Sequence, residues 1–212
     1  MDKTRSAIAI FDEYAQAYQD KYMDISQYRD TLDLFCEAIA VEQAHALELA
    51  CGPGNLTRYL LKQRPQWQVL GTDLSSKMIQ LAQLNNPTAT FELMDIKAVG
   101  KLTQQFHGVI CGFGLPYCSK EAALQLIADL PAILYPAGVV YLSTMEDDYS
   151  RSTYKGPSSG GAPRLYTYYH EAAYLCAALK KNGFDILHLS RSDIAGQETD
   201  TAKDLVIIAR KQ

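Results

Sequence analysis

Residues 46–57, Ala-Leu-Glu-Leu-Ala-Cys-Gly-Pro-Gly-Asn-Leu-Thr, constrain this chain more than any other stretch. A short apolar run enters Gly52 and Gly54, one residue apart, and a helical pattern starts at once. Lacking Cβ atoms, the two glycines let the backbone turn sharply and approach a ligand closely. The helix that follows aims unpaired N–H groups and a partial positive charge at that ligand. Junctions of this kind bind nucleotide-like molecules outside the carboxyl ends of parallel strands. A second run, 67–73, ends on Asp73, 19 residues after Gly54. An ionised carboxylate only accepts hydrogen bonds, and a ribose diol offers two adjacent donors. One strand–helix–strand unit therefore delivers turn and carboxylate to the same ligand. The alternative is that Asp73 caps a helix beginning after Leu74-Ser75-Ser76.

Strand patterns at 46–50, 67–72, 90–94, 107–112 and 138–144 alternate with helical periods such as Leu56, Tyr59, Leu60 and Met78, Ile79, Ala82. This alternation predicts an α/β fold, a doubly wound, mostly parallel sheet with helices on both faces. Strands at Phe184–Ser190 and Asp204–Arg210 are joined by a loop without a helix, so they form an antiparallel C-terminal hairpin and bring the sheet to seven strands. A helix over His170 to Asn182 precedes them. Residues 1–43 read as an amphipathic helical N-terminal cover, with Phe11, Tyr14, Ala15 and Tyr18 on one stripe, and 44–212 as the ligand-binding domain, the whole forming one structural domain. Residues 146–166, rich in turn formers, follow the fifth strand on the ligand-binding edge and read as a lid or substrate loop.

A chain of 212 residues buries a core without staples. Its five cysteines are odd in number and fit no zinc or Cys-x-x-C spacing, which predicts free thiols in a reducing cytoplasm and no metal site. The longest apolar run, 131–142, is too short to span a bilayer, and acidic residues at 12 and 13 leave no room for a secretory signal. A net charge of −4 without a basic run disfavours nucleic acid as a partner.

These residues resemble the class I, seven-stranded S-adenosylmethionine-dependent methyltransferases. Leu47-Glu48-Leu49-Ala50-Cys51-Gly52-Pro53-Gly54 is similar to the family's first motif, with Ala50 in place of the first glycine, a substitution that suits a negative φ. Glu92-Leu93-Met94-Asp95-Ile96 resembles the third motif, Ile133 to Val140 the turn before strand five, and Lys181-Asn182-Gly183-Phe184 the turn into the terminal hairpin. The resemblance covers residues 44–145 well and 170–211 less closely. It implies S-adenosyl-L-methionine as cofactor and methyl transfer by in-line displacement. Ala50, Gly52 and Gly54 then contact the methionine moiety and adenosine through backbone, Asp73 takes the ribose, and Asp95 with Ile96 the adenine. Leu74 and Met78 wall the base, and Gly112 and Phe113 lie beside the sulfonium. Tyr28, with Arg29, is the candidate for the cofactor carboxylate. A nicotinamide dinucleotide is disfavoured, because Thr57 stands where its fingerprint needs a third glycine.

On the acceptor side, Gly112-Phe113-Gly114-Leu115-Pro116-Tyr117 only partly matches the loop of amide and exocyclic-amine methylating enzymes, since Gly114 has no side chain to accept a hydrogen bond. Tyr18, Tyr117, Tyr149 and Tyr168 are candidate substrate residues, and His170 is the candidate general base. The reading is a cytoplasmic methyltransferase acting on a small molecule. Its alternatives are a protein or tRNA methyltransferase and a non-catalytic S-adenosylmethionine-binding protein.

Overall fold

A computed structural model describes residues 3–156, 164–193 and 202–212. Three helices come first: α1 (Lys3–Glu13), α2 (Ala15–Tyr22) and α3 (Arg29–Ala38). Alternation follows through β1 (His45–Leu49), α4 (Asn55–Gln63), β2 (Gln68–Asp73), α5 (Ser76–Asn85) and β3 (Thr90–Leu93). A 3₁₀ segment, Ile96–Lys101, leads to β4 (Phe106–Cys111), α6 (Lys120–Ile133) and β5 (Leu134–Glu146). The chain closes with β6 (Thr153–Lys155), β7 (Leu165–Thr167), α7 (Ala172–Lys181), β8 (Phe184–Asp193) and β9 (Lys203–Lys211).

Seven strands form one sheet in the order β3-β2-β1-β4-β5-β9-β8. The pairings from β3 to β5 are parallel, and β9 lies antiparallel between β5 and β8. The order runs outward from β1 to β3, then returns to the other side of β1 with β4. Two consecutive crossovers therefore leave in opposite directions and open a crevice above the carboxyl ends of β1 and β4.

Side-chain alternation divides the core into two layers. Leu47, Leu49, Val109, Cys111, Val140 and Leu142 face α6 and α7, packing on Leu126, Ile127, Leu130 and Leu175. Ala46, Ile110, Val139 and Tyr141 face the opposite way, onto Leu32 and Phe35 of α3 and Leu56 and Leu60 of α4. Phe35 is wholly buried, its ring 6.3 Å from Trp67 and 6.0 Å from Tyr141. Removing it would cost about 3–5 kcal/mol. That layer fixes where α4 starts, and thus where the glycine turn before it points.

Three local features differ from the sequence reading. Residues 146–166 are not loop throughout: β6 and β7 pair as a small antiparallel ladder, Thr153↔Thr167, Tyr154↔Tyr166 and Lys155↔Leu165. Its aromatic cross-strand pair, Tyr154 and Tyr166 at 5.0 Å, supplies contact that the turn-rich composition obscures. The remainder of the expected lid loop, 157–163, lies outside the described residues. His170 does not begin a helix. Its N–H donates to the Met145 carbonyl and it bridges Glu146, so α7 starts at Ala172. Finally, β5 starts at Leu134, with Ala137 at φ +61° and an irregularity opposite Phe106 and Gly108. Among the described residues no helix is long and apolar enough to cross a membrane.

Candidate functional site

The crevice above β1 and β4 is a cleft of about 810 Å³, counting its part open to solvent. Its floor is the turn after β1. Ala50 at φ +52° and Gly52 at φ +52° both sit in the left-handed region, and Gly54 follows at φ +78°. The negative φ expected at Ala50 is therefore corrected. An alanine held there stores roughly 1–2 kcal/mol of strain, and strain of this kind gathers at binding sites.

Asp73 locks this turn. Its Oδ2 accepts the Gly52 N–H at 2.9 Å and its Oδ1 the Ser75 N–H at 2.8 Å. A carboxylate has about four lone-pair sites, and with backbone N–H groups of Gly52, Leu74 and Ser75 upon it, acceptor capacity remains for a ligand hydroxyl. The helix cap belongs to Ser75, whose Oγ accepts from the Met78 N–H of α5. Asp73 thus both supports the turn and lines the cleft. Burial raises its pKa above the ordinary carboxylate value, against hydrogen bonds from Ser75, Gly52 and Leu74 that lower it. Below the turn, the buried Glu48 carboxylate accepts the Thr57 N–H at 2.9 Å and the Thr57 hydroxyl. Burial pushes its pKa up to about 8.

On the β3 side, Asp95 Oδ1 accepts the Lys97 N–H at 2.9 Å. Asp95, Ile96, Lys97 and Met94 line the cleft with Leu74 and Met78, leaving an apolar slot rimmed by one carboxylate and backbone. At the end of β4, Gly112 and Phe113 line the opposite side. Phe113 is at φ +54°, held by its N–H donating to Ser143 Oγ at 3.0 Å. Over the top lies Phe11 of α1, edge-on to Tyr18 at 5.8 Å and to Tyr117 at 5.0 Å. Burial raises the pKa of both phenols, that of Tyr117 to about 12. Both therefore stay protonated at neutral pH.

Ala50, Gly52, Asp73, Leu74, Met78, Asp95, Ile96, Gly112 and Phe113 accordingly line one cleft, as do Tyr18 and Tyr117. Six candidates do not, the first being Arg29, which starts α3 outside the lining. Gly54 is the N-cap of α4, and a Cβ there would collide with the Asn86 amide and lie 3.3 Å from Ala82, so its lack of a side chain serves helix packing. Tyr28 donates to Asp204 Oδ2 at 2.7 Å, with its ring 5.1 Å from Phe113, behind the wall rather than in it. Tyr149 and Tyr168 stack on each other at 6.1 Å beside the β6–β7 ladder, outside the lining. His170 is fully buried, with Nε2 at 2.9 Å from the Leu115 carbonyl and Nδ1 against Tyr174 Oη. Burial lowers its pKa and both nitrogens are engaged, so it anchors α7 to the loop after β4. Sequence reasoning missed Thr4, Ala7 and Ile8 of α1 in the lining. Their spacing with Phe11 is that of one helix face, a signal available in the sequence.

This arrangement fits an adenosyl ligand: two carboxylates at adjacent strand ends, an apolar slot beside one of them, and a side-chain-free turn between. Residues 46–138 match a family profile described as a methyltransferase domain. A trans-aconitate 2-methyltransferase from Variovorax paradoxus is 31% identical over 143 residues, 68% of this chain and 54% of that protein. A malonyl-acyl-carrier-protein O-methyltransferase from Enterobacter lignolyticus is 26% identical over 144 residues, 68% of this chain and 55% of that protein. The chain thus spans little more than half the length of these two relatives. In fold it matches magnesium protoporphyrin IX methyltransferase from Synechocystis, solved with bound S-adenosylmethionine, at a TM-score of 0.71 and 19% identity, covering 100% of this chain and 98% of that one.

Proposed function

We propose that this chain, whose residues 46–138 form a methyltransferase domain on the class I S-adenosylmethionine-dependent fold, transfers a methyl group from that cofactor to a small organic acceptor. The observation that supports this most is the convergence of Asp73, Asp95 and the Gly52 turn on a single cleft. Asp73 would take the ribose hydroxyls with its remaining acceptor capacity. Asp95 and the backbone at Ile96 would hold the adenine between Leu74, Met78 and Met94. The Gly52 turn would carry the amino-acid end, and Gly112 and Phe113 would face the reacting group. When bound, the cofactor supplies an electrophilic methyl group.

The chain's own work is then to orient the acceptor and exclude water. Phe11, Ile8 and Ala7 cover the cleft with apolar surface. Tyr18 and Tyr117, protonated at neutral pH, donate hydrogen bonds that orient an acceptor rather than remove its proton. A small acceptor is supported by the name of the first relative, which refers to trans-aconitate, and by a net charge of −4, unsuited to a polyanion. Incubating the protein with methyl-labelled cofactor and fractionated cell extract tests the reading. Label is expected in the small-molecule fraction. Label confined to protein or RNA would replace the acceptor class, and no transfer to any fraction would contradict the activity.

A further inference from the structure

Helix α1 roofs the cleft with Thr4, Ala7, Ile8 and Phe11, yet none of its residues is buried. An eleven-residue helix is marginal alone, so contacts at its ends decide where it lies. At its carboxyl end, Asp12 Oδ1 accepts the Ser75 hydroxyl at 2.6 Å and the Lys77 N–H at 3.1 Å. The Asp12 carboxylate thereby sits at the amino end of α5, where negative charge is favoured. At the amino end of α1, Lys3 Nζ lies 3.3 Å above the Tyr166 ring and 3.4 Å from Tyr168 Oη, on the β6–β7 ladder.

The first of these contacts has a second partner. Ser75 is 1% exposed and donates its own N–H to Asp73 Oδ1, while Asp73 Oδ2 accepts from Gly52. A continuous chain of hydrogen bonds therefore runs from the roof helix through Asp12 and Ser75 to Asp73 and the glycine turn. We propose that Asp12 is a positioning residue for cofactor binding: it fastens α1 over the cleft through the same serine that aims Asp73, so that closing the roof and ordering the ribose carboxylate are one event. This rests on the cofactor reading above. Asp12 itself is not among the lining residues.

The test compares Asp12→Ala and Asp12→Asn with the unaltered protein, using S-adenosylhomocysteine titration by calorimetry and backbone hydrogen exchange. Asp12→Ala is expected to weaken binding about tenfold, the scale of a lost charged hydrogen bond. It should also abolish ligand-dependent protection of residues 3–13 and speed exchange of the Lys77 amide. The side-chain oxygen of Asp12→Asn still accepts both donors, so this variant is expected to retain most of the affinity. Adding Asp12→Ala to Ser75→Ala, which also removes the α5 cap, should weaken binding no further than Ser75→Ala alone. Unchanged affinity in Asp12→Ala, or an Asn variant as weak as the Ala variant, would overturn the proposal. An unaltered protein that binds no S-adenosylhomocysteine would instead refute the cofactor reading, and Lys77 exchange in unliganded protein would still report the fastener.

Discussion

The Asp73 carboxylate accepts the Gly52 N–H at 2.9 Å, joining the acidic end of β2 to the turn that follows β1. A single side chain thus sets the shape of the floor and lines the cleft above it. Asp73→Ala should weaken S-adenosylhomocysteine binding by more than ~1 kcal/mol in calorimetric titration. It should also lower the melting temperature, since the Gly52 and Ser75 N–H groups lose their partner. Asp73→Asn, which keeps an acceptor oxygen for one of them, should lose less stability.

Glu48 gives the fold a pH dependence of defined sign. Burial raises its pKa from 4.5 to about 8, so the folded chain holds a proton there that the unfolded chain has released. Its stabilising contribution is complete below pH 4.5 and is lost as pH rises towards 8. The slope is at most about 1.4 kcal/mol per pH unit. Melting curves between pH 5 and pH 9 should show stability from this group falling with pH, and Glu48→Gln should flatten the dependence. An identical pH profile in the variant would contradict the assignment.

Two small residues in one turn should respond with opposite signs. Ala50→Gly releases roughly 1–2 kcal/mol of left-handed strain against a gain in unfolded-chain entropy of about 0.4–1 kcal/mol, leaving a net stabilisation centred on about 0.8 kcal/mol. Gly54→Ala, at φ +78° and against the Asn86 amide that donates to the Gly54 carbonyl, should destabilise by more than ~2 kcal/mol. Urea denaturation of the two variants decides both.

His170→Ala should lower stability and spare the chemistry. The substitution leaves the Leu115 carbonyl and the Tyr174 hydroxyl without their imidazole partner. A loss of about 2–3 kcal/mol is expected, with kcat per folded molecule unchanged below the unfolding temperature. A fall in kcat without a change in melting temperature would restore His170 to the mechanism.

Much of this molecule was legible in its sequence because short continuous apolar runs such as Val109 to Cys111 and Val139 to Leu142, bounded by turn residues and alternating with helical periods, are buried on both faces as in a sheet covered by helices. The antiparallel closure followed from the missing helix between the last two strands. Tyrosine placement was not legible. Tyr18 and Tyr149 occur in equally polar, tyrosine-rich stretches, yet only Tyr18 lies on the α1–α2 roof, while Tyr149 spends its hydroxyl on the Lys120 N–H. Tyr28 likewise reaches Asp204, 176 residues away, a partner that no local pattern indicates. The left-handed Ala50 was hidden for a different reason. Hydrogen bonds from the next two residues to β2, Cys51 N–H to the Thr72 carbonyl and Gly52 N–H to Asp73, hold a conformation that an alanine does not choose by itself.

A crystal structure with S-adenosylhomocysteine bound tests the central claim most directly. The ribose hydroxyls are predicted within hydrogen-bonding distance of Asp73 and the adenine amino group at Asp95, with α1 closed above them. A ligand seated elsewhere, or one in this cleft touching neither carboxylate, would contradict the account.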